Sequence, residues 1–195
     1  MLQTFFTQQQ MLIGRDRFFD LLKRNKLLVR RLKRSVHTTN SNHHFRRYPN
    51  LAKDFTPLKA HELWVADITY IPLKHRFAYL FLITDAYSRK IVGHHVSDDM
   101  KVSSATNNKK KALSQKPTQT IVMHHSDRGI QYCSTEYVAL LQQHHTLISM
   151  TQNGDPYENA MAERVNGILK TELIGKYYND IDTAAAHINR CIIVY

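Results

Sequence analysis

Leu63-Trp64-Val65-Ala66-Asp67-Ile68-Thr69-Tyr70-Ile71, closed by Pro72, is the stretch on which the fold turns. Its β-branched and aromatic residues predict a strand. Two further strand-forming runs follow closely, Phe77-Ala78-Tyr79-Leu80-Phe81-Leu82-Ile83-Thr84 and Lys90-Ile91-Val92-Gly93-His94-His95-Val96. Separations this short imply hairpin connections, so the three strands pair antiparallel. Beyond them the texture alternates, with a helix over about 103–115, a strand over 120–124, a helix over 135–143 and a strand over 147–150. Asp155-Pro156-Tyr157-Glu158 reads as a helix start, with Asp at the N-cap, Pro at the first helical position and Glu three residues after the cap. That helix is expected to run to about Leu173, and another spans about 182–195. The order predicts an α/β fold, a mixed sheet with helices on both faces.

The chain has 195 residues, 43% hydrophobic and 22% charged, a composition that builds a sizeable core. Lys and Arg number 27 against 16 Asp and Glu, a formal net charge of +11. Such a balance points to an acidic partner, nucleic acid first. Only Cys133 and Cys191 are present, which excludes a disulfide framework and a four-Cys zinc site. The N-terminus does not read as a signal peptide, and no run of ~18 apolar residues suggests a membrane span.

The charge is uneven. Residues before Thr56 include 12 basic and 3 acidic side chains, whereas the remainder is nearly balanced. From Gly14 to Leu32, Phe18, Leu21, Leu22, Leu27, Leu28 and Leu32 recur at largely three-and-four spacing among basic residues, the pattern of one or two short amphipathic helices. A break is expected near Asn25, which tolerates turn geometry. Residues 1–36 therefore form a small basic helical segment, 37–56 an aperiodic linker and 57–195 the main domain.

Three carboxylates stand where their surroundings are unfavourable or their position suggestive. Asp67 interrupts an apolar strand, where a charge is costly unless paired or bound to metal. Asp127 follows the apolar run Ile121-Val122-Met123, in a loop of the kind that carries catalytic groups. On the helix after Asp155, Met161, Ala162, Val165, Ile168, Leu169 and Leu173 form the apolar stripe, and Asn159, Glu163, Asn166 and Lys170 cluster beside its edge. Two Asn inside a helix are uncomfortable as a merely solvated face. Oxygen ligands of this kind suit magnesium, and two such ions about 3.5–4 Å apart can drive in-line phosphoryl displacement.

Trp64 to Ile71, His124-His125-Ser126-Asp127-Arg128-Gly129-Ile130-Gln131-Tyr132 and Asp155 to Arg164 closely resemble the insertion-sequence transposases with an integrase core, relatives of retroviral integrases. Asp127 and Glu163 are separated by 35 residues, the spacing of that family's Asp-Asp-Glu group. The resemblance implies a ribonuclease-H-like fold, two magnesium or manganese ions, DNA strand cleavage at element ends and strand transfer into a target. It makes Asp67, Asp127 and Glu163 the catalytic metal ligands. It places Lys170, Asn159, Asn166 and Arg128 at DNA near the site, Asn159 also as a positioning residue, and Arg15, Lys23, Arg24, Arg30, Arg31, Lys33 and Arg34 as phosphate contacts of the basic segment. Asp85 is a competing carboxylate that the family pattern does not use, and Asp85-Ala86-Tyr87-Ser88 reads as a hairpin turn.

The same resemblance implies self-association on DNA, a cytoplasmic, nucleoid-associated location and fusion to an upstream reading-frame product. Family members continue beyond a Tyr like Tyr195, so the chain reads as cut short there. Alternatives are a remnant that binds DNA without cutting it and a ribonuclease-H-type nuclease. Lys109-Lys110-Lys111 departs from the family's apolar helix turn and is expected to weaken packing. Cys133 reads as a buried small side chain and not a nucleophile.

Overall fold

Alternation along β1 (Leu63–Pro72) builds both sides of the core. Trp64, Ala66 and Ile68 enter one apolar cluster, while Leu63, Val65 and Ile71 enter clusters on the opposite face, as the two-residue period of a strand requires. β2 (Phe77–Asp85) divides likewise, with Phe81 and Ile83 on the first face and Leu80 and Leu82 on the second. The computed structural model describes residues 14–28, 43–118, 120–152, 159–175 and 177–195.

β1 pairs antiparallel with β2, and β2 antiparallel with β3 (Ile91–Ser97). β4 (Met123–Ser126) and β5 (Leu147–Met150) add in parallel on the other side of β1, giving the order β3-β2-β1-β4-β5. The expected mixed sheet is thus present, although β4 begins three residues later than the expected strand over 120–124.

The first face is covered by α2 (Val102–Ser114), the short α3 (Ile130–Cys133) and α4 (Thr135–Gln143). Ala105, Ala112, Tyr132, Cys133, Tyr137 and Leu141 close the core with Trp64 and Phe81. α2 approaches β3 so closely that a Cβ on Gly93 would lie 2.8 Å from the Asn108 side-chain oxygen and 2.9 Å from its carbonyl. Within the lysine run, Lys110 and Lys111 are exposed but Lys109 is fully buried, its Nζ 4.6 Å from the centroid of the Trp64 ring. The helix therefore packs around one of the lysines instead of being displaced by the run.

The second face is covered by α5 (Ala160–Ile168) and α6 (Ile181–Val194). α5 does not continue as a regular helix to Leu173. Residues Leu169–Leu173 form a π-helical turn, and the Thr171 hydroxyl donates to the Gly167 carbonyl at 2.8 Å, where it competes with the backbone ladder. The expected cap at Asp155 lies outside the described residues.

Residues 43–56, expected as linker, run along the core. The Met150 N–H donates to the Pro49 carbonyl at 3.2 Å, and Ser149 Oγ accepts from the Leu51 and Ala52 N–H groups at 2.9 and 3.2 Å. His43 Nε2 lies 2.9 Å from the Arg128 carbonyl oxygen, and Phe45 and Tyr48 pack against the first-face core.

The chain divides into two units, Met1–Ser35 and Val36–Tyr195. In the first, α1 (Arg15–Arg24) ends at Asn25, whose backbone N–H and side-chain amide both donate to the Leu21 carbonyl, at 3.1 and 2.8 Å. Lys26 follows at φ 56°, so the expected break is a left-handed turn. Arg15, Lys23 and Arg24 are exposed. Arg30, Arg31, Lys33 and Arg34 lie outside the described residues.

Candidate active site between β1 and the end of β4

The parallel register sets the centre of the site. Leu63 is opposite Met123, Trp64 opposite His124 and Val65 opposite His125. The same offset, carried two residues further, brings Asp127 beside Asp67 on the face that α5 covers. Sequence separation gives no hint of this closeness; the strand pairing creates it.

Asp67 is a carboxylate under electrostatic pressure. Burial, followed by the negative charge of Asp127, pushes its pKa up to about 7, and Glu163 adds a smaller push in the same direction. Hydrogen bonds from the Ile68 N–H and from Asn166, whose Nδ2 lies 2.5 Å from Asp67 Oδ2, oppose the rise without cancelling it. Asp127 is oriented by the Gly129 N–H, which donates to its Oδ1 at 2.9 Å. Glu163 stands exposed on α5, with its own pKa raised by desolvation. Lys170 is partly buried; desolvation lowers its pKa, and the charge of Asp67 pulls the other way.

The two asparagines expected at the DNA surface are instead turned inward. Asn159 and Asn166 are 7% and 5% exposed. The Asn159 amide donates to the Ala66 carbonyl at 3.1 Å, and Asn166 to Asp67. Together they fasten α5 to β1, one at the Ala66 carbonyl and the other at the Asp67 carboxylate. Arg128 is partly exposed, with its Nε buried and without a hydrogen-bond partner.

Asp85 is not a rival ligand. Its Oδ2 accepts from the His61 N–H at 2.6 Å, and its Oδ1 from the Ser88 N–H and hydroxyl at 2.7 and 2.8 Å. Its lone pairs are engaged in closing the turn after β2. Cys133 lies 3.6 Å from Met150 Sδ, and burial pushes its thiol up to about 11, which leaves it unreactive.

Among the described residues, no three of His, Cys, Asp and Glu stand together closely enough to enclose a metal ion. The donor set nonetheless suits a hard divalent cation. Asp67 and Asp127 offer oxygen only, their mutual repulsion is relieved by positive charge between them, and magnesium is commonly held by one or two carboxylates plus substrate phosphate. Sequence reasoning missed the bond between Asn166 and Asp67. The one signal available was an asparagine in a helix interior, which marks an inward polar partner without naming it.

A five-stranded mixed sheet with helices on both faces, one carboxylate midway along β1 and another just past the end of β4, defines a ribonuclease-H-like core of the integrase and transposase class. Residues 57–156 match a family described as integrase core domain, and residues 144–195 match a second of the same description. The chain is 34% identical, over its whole length, to the insertion element IS600 uncharacterized 31 kDa protein of Shigella sonnei, and covers 72% of it. It is 37% identical over 66% of its length to the putative transposase for insertion sequence element IS986/IS6110 of Mycobacterium tuberculosis, of which it spans 49%. Transposase InsF for insertion sequence IS3A of Escherichia coli is 35% identical over 64% of the chain, which spans 43% of that protein. Among solved structures, the HTLV-2 integrase catalytic core domain in complex with magnesium superimposes with a TM-score of 0.56 at 21% identity, over 70% of this chain and 86% of that one. The catalytic domain of Mos1 mariner transposase gives a TM-score of 0.58 at 9% identity, over 69% and 71%; these two likenesses speak for the fold.

The chain belongs to the integrase core domain family, among its insertion-sequence transposases.

Proposed function

We propose that this chain carries the catalytic centre of an insertion-sequence transposase, cleaving a DNA strand at element ends and transferring it to target DNA. Asp67, Asp127 and Glu163 would hold the divalent ions, magnesium or manganese, with Glu163 closing the set when DNA is present. Bound there, two such ions would activate the attacking oxygen and stabilise the leaving one. The observation that carries the reading is the closeness of Asp67 and Asp127, whose negative charge, after burial, helps raise the Asp67 pKa to about 7.

The chain's own residues supply orientation. Asn166 fixes the Asp67 carboxylate and Asn159 ties the start of α5 to β1. The Gly129 N–H turns Asp127, and Lys170 brings a positive charge to the margin of the pair, where a phosphate would need one. Relatives of this kind act on DNA, and the HTLV-2 core is solved in dimeric and trimeric forms. Self-association on DNA and a cytoplasmic, nucleoid-associated location follow from the same reading. Among the described residues no helix is long and apolar enough to cross a membrane.

The test is to incubate purified protein with labelled element-end DNA and magnesium, beside Asp127→Asn. Metal-dependent nicking and joined product are expected from the wild type only. Equal products from both proteins, or none from a folded wild type, would remove the enzymatic claim.

A further inference from the structure

Residues 43–53, His43-His44-Phe45-Arg46-Arg47-Tyr48-Pro49-Asn50-Leu51-Ala52-Lys53, contain no acidic side chain. Nothing in their pattern distinguishes them from a connector. The structure nonetheless fastens them at both ends and in the middle. His43 is tied to the carbonyl of Arg128, the residue after Asp127. Phe45 and Tyr48 are sunk against the first-face core. Pro49, Leu51 and Ala52 are bonded to β5 through Met150 and Ser149.

Between these anchors Arg46 and Arg47 remain exposed. The Arg46 guanidinium lies 5.1 Å from the centroid of the Tyr48 ring, which directs it without neutralising it. Neither Arg46 nor Arg128 belongs to the ion pairs that join Arg76 to Asp98 and Lys101 to Asp99. Arg47, Arg128 and Asp127 all act electrostatically on the buried thiol of Cys133 and so share one neighbourhood. The His43 contact brings this segment beside Arg128 and Asp127, so a strand backbone approaching from this side would meet the exposed Arg46 and Arg47 and the partly exposed Arg128. Because the segment is fixed beforehand, contact with phosphate costs little further ordering.

We propose that residues 43–48 form a phosphate-binding strap, in which Arg46 and Arg47, with Arg128, grip the DNA backbone as it enters the catalytic centre. The proposal rests on the transposase reading for its ligand, but its test is separable from catalysis. Binding of the full chain to a fluorescent duplex would be followed over a salt series for wild type, R46Q/R47Q and R46K/R47K, with thermal midpoints measured in parallel.

Each lost phosphate contact should flatten the log–log salt dependence by about 0.9. The Gln pair should therefore lose about one unit of slope or more at an unchanged midpoint, with affinity in 0.1 M salt falling on the order of tenfold. The Lys pair should keep the slope, since a point charge suffices for counterion release. An unchanged slope in folded R46Q/R47Q would overturn the strap, as would a loss of slope in the Lys pair equal to that in the Gln pair. Failure of the wild type to cut DNA would count against the catalytic reading and leave this comparison intact.

Discussion

Replacing Lys109 by Met should stabilise the unit that holds the sheet and flatten the rise of its stability with pH below the ordinary lysine range. Lys109 is fully buried, its Nζ has no hydrogen-bond partner, and desolvation, with a lesser push from Lys116, holds its pKa well below the ordinary 10.5. Trp64 lies under the amine, and His124, on the neighbouring β4, is itself driven toward the neutral form, by burial first and by Lys109 second. In the unfolded chain at pH 8 the same amine is protonated. Folding must therefore remove a proton that the unfolded chain holds, a cost borne at any pH below the ordinary lysine range.

The folded state binds fewer protons here than the unfolded one, so stability climbs as pH rises toward the ordinary lysine value, by up to about 1.4 kcal/mol per unit. The K109M comparison separates this from the other groups. His94, His95 and His124 have lowered values and act below 6.5, Asp67 titrates near 7, and Cys133 begins to oppose only as pH approaches 9. Urea unfolding followed by the fluorescence of Trp64, the chain's one tryptophan, measures the slope in wild type and K109M. Parallel pH curves, or a destabilised K109M, would refute the reasoning.

Three further outcomes are expected. Gly93→Ala places a methyl 2.8 Å from the Asn108 side chain and 2.9 Å from rigid helix backbone, which should cost about 1–3 kcal/mol in urea unfolding; a neutral result would mean α2 stands further from β3. Asp85→Ala removes the acceptor of three hydrogen bonds and should lower stability by about 1–3 kcal/mol while leaving metal affinity intact, so a change in metal titration without loss of stability would return Asp85 to the site. Asn166→Leu unfastens Asp67 from α5 and should reduce strand transfer at least tenfold, with DNA affinity retained and the metal concentration needed for half-maximal activity raised; wild-type metal dependence would deny it a positioning role.

Much of the fold was readable because hairpin strands and helix-strand alternation leave few arrangements. Asp67 drew attention as a charge in an apolar strand, Asp127 by its loop, and Glu163 by its place beside a helical stripe. What could not be read depended on tertiary partners. The closeness of Asp67 and Asp127 comes from parallel register, and the inward turn of Asn166 from the partner it finds on β1. The strap at 43–48 has no periodicity because two aromatic rings and main-chain bonds hold it, not an apolar face. Lys109 looks like its exposed neighbours in sequence and differs from them only in the helix face it occupies. The π-helical turn at Leu169–Leu173 likewise depends on one hydroxyl competing for a carbonyl.

The account stands or falls on whether the repelling carboxylates of Asp67 and Asp127 form a divalent-cation site. Titrating purified wild type with Mn2+ under paramagnetic detection, beside Asp67→Asn and Asp127→Asn of matched thermal stability, tests this without any choice of DNA sequence. Saturable binding by the wild type that is lost or strongly weakened in both variants is the expected result. Superimposable isotherms for all three proteins would contradict it.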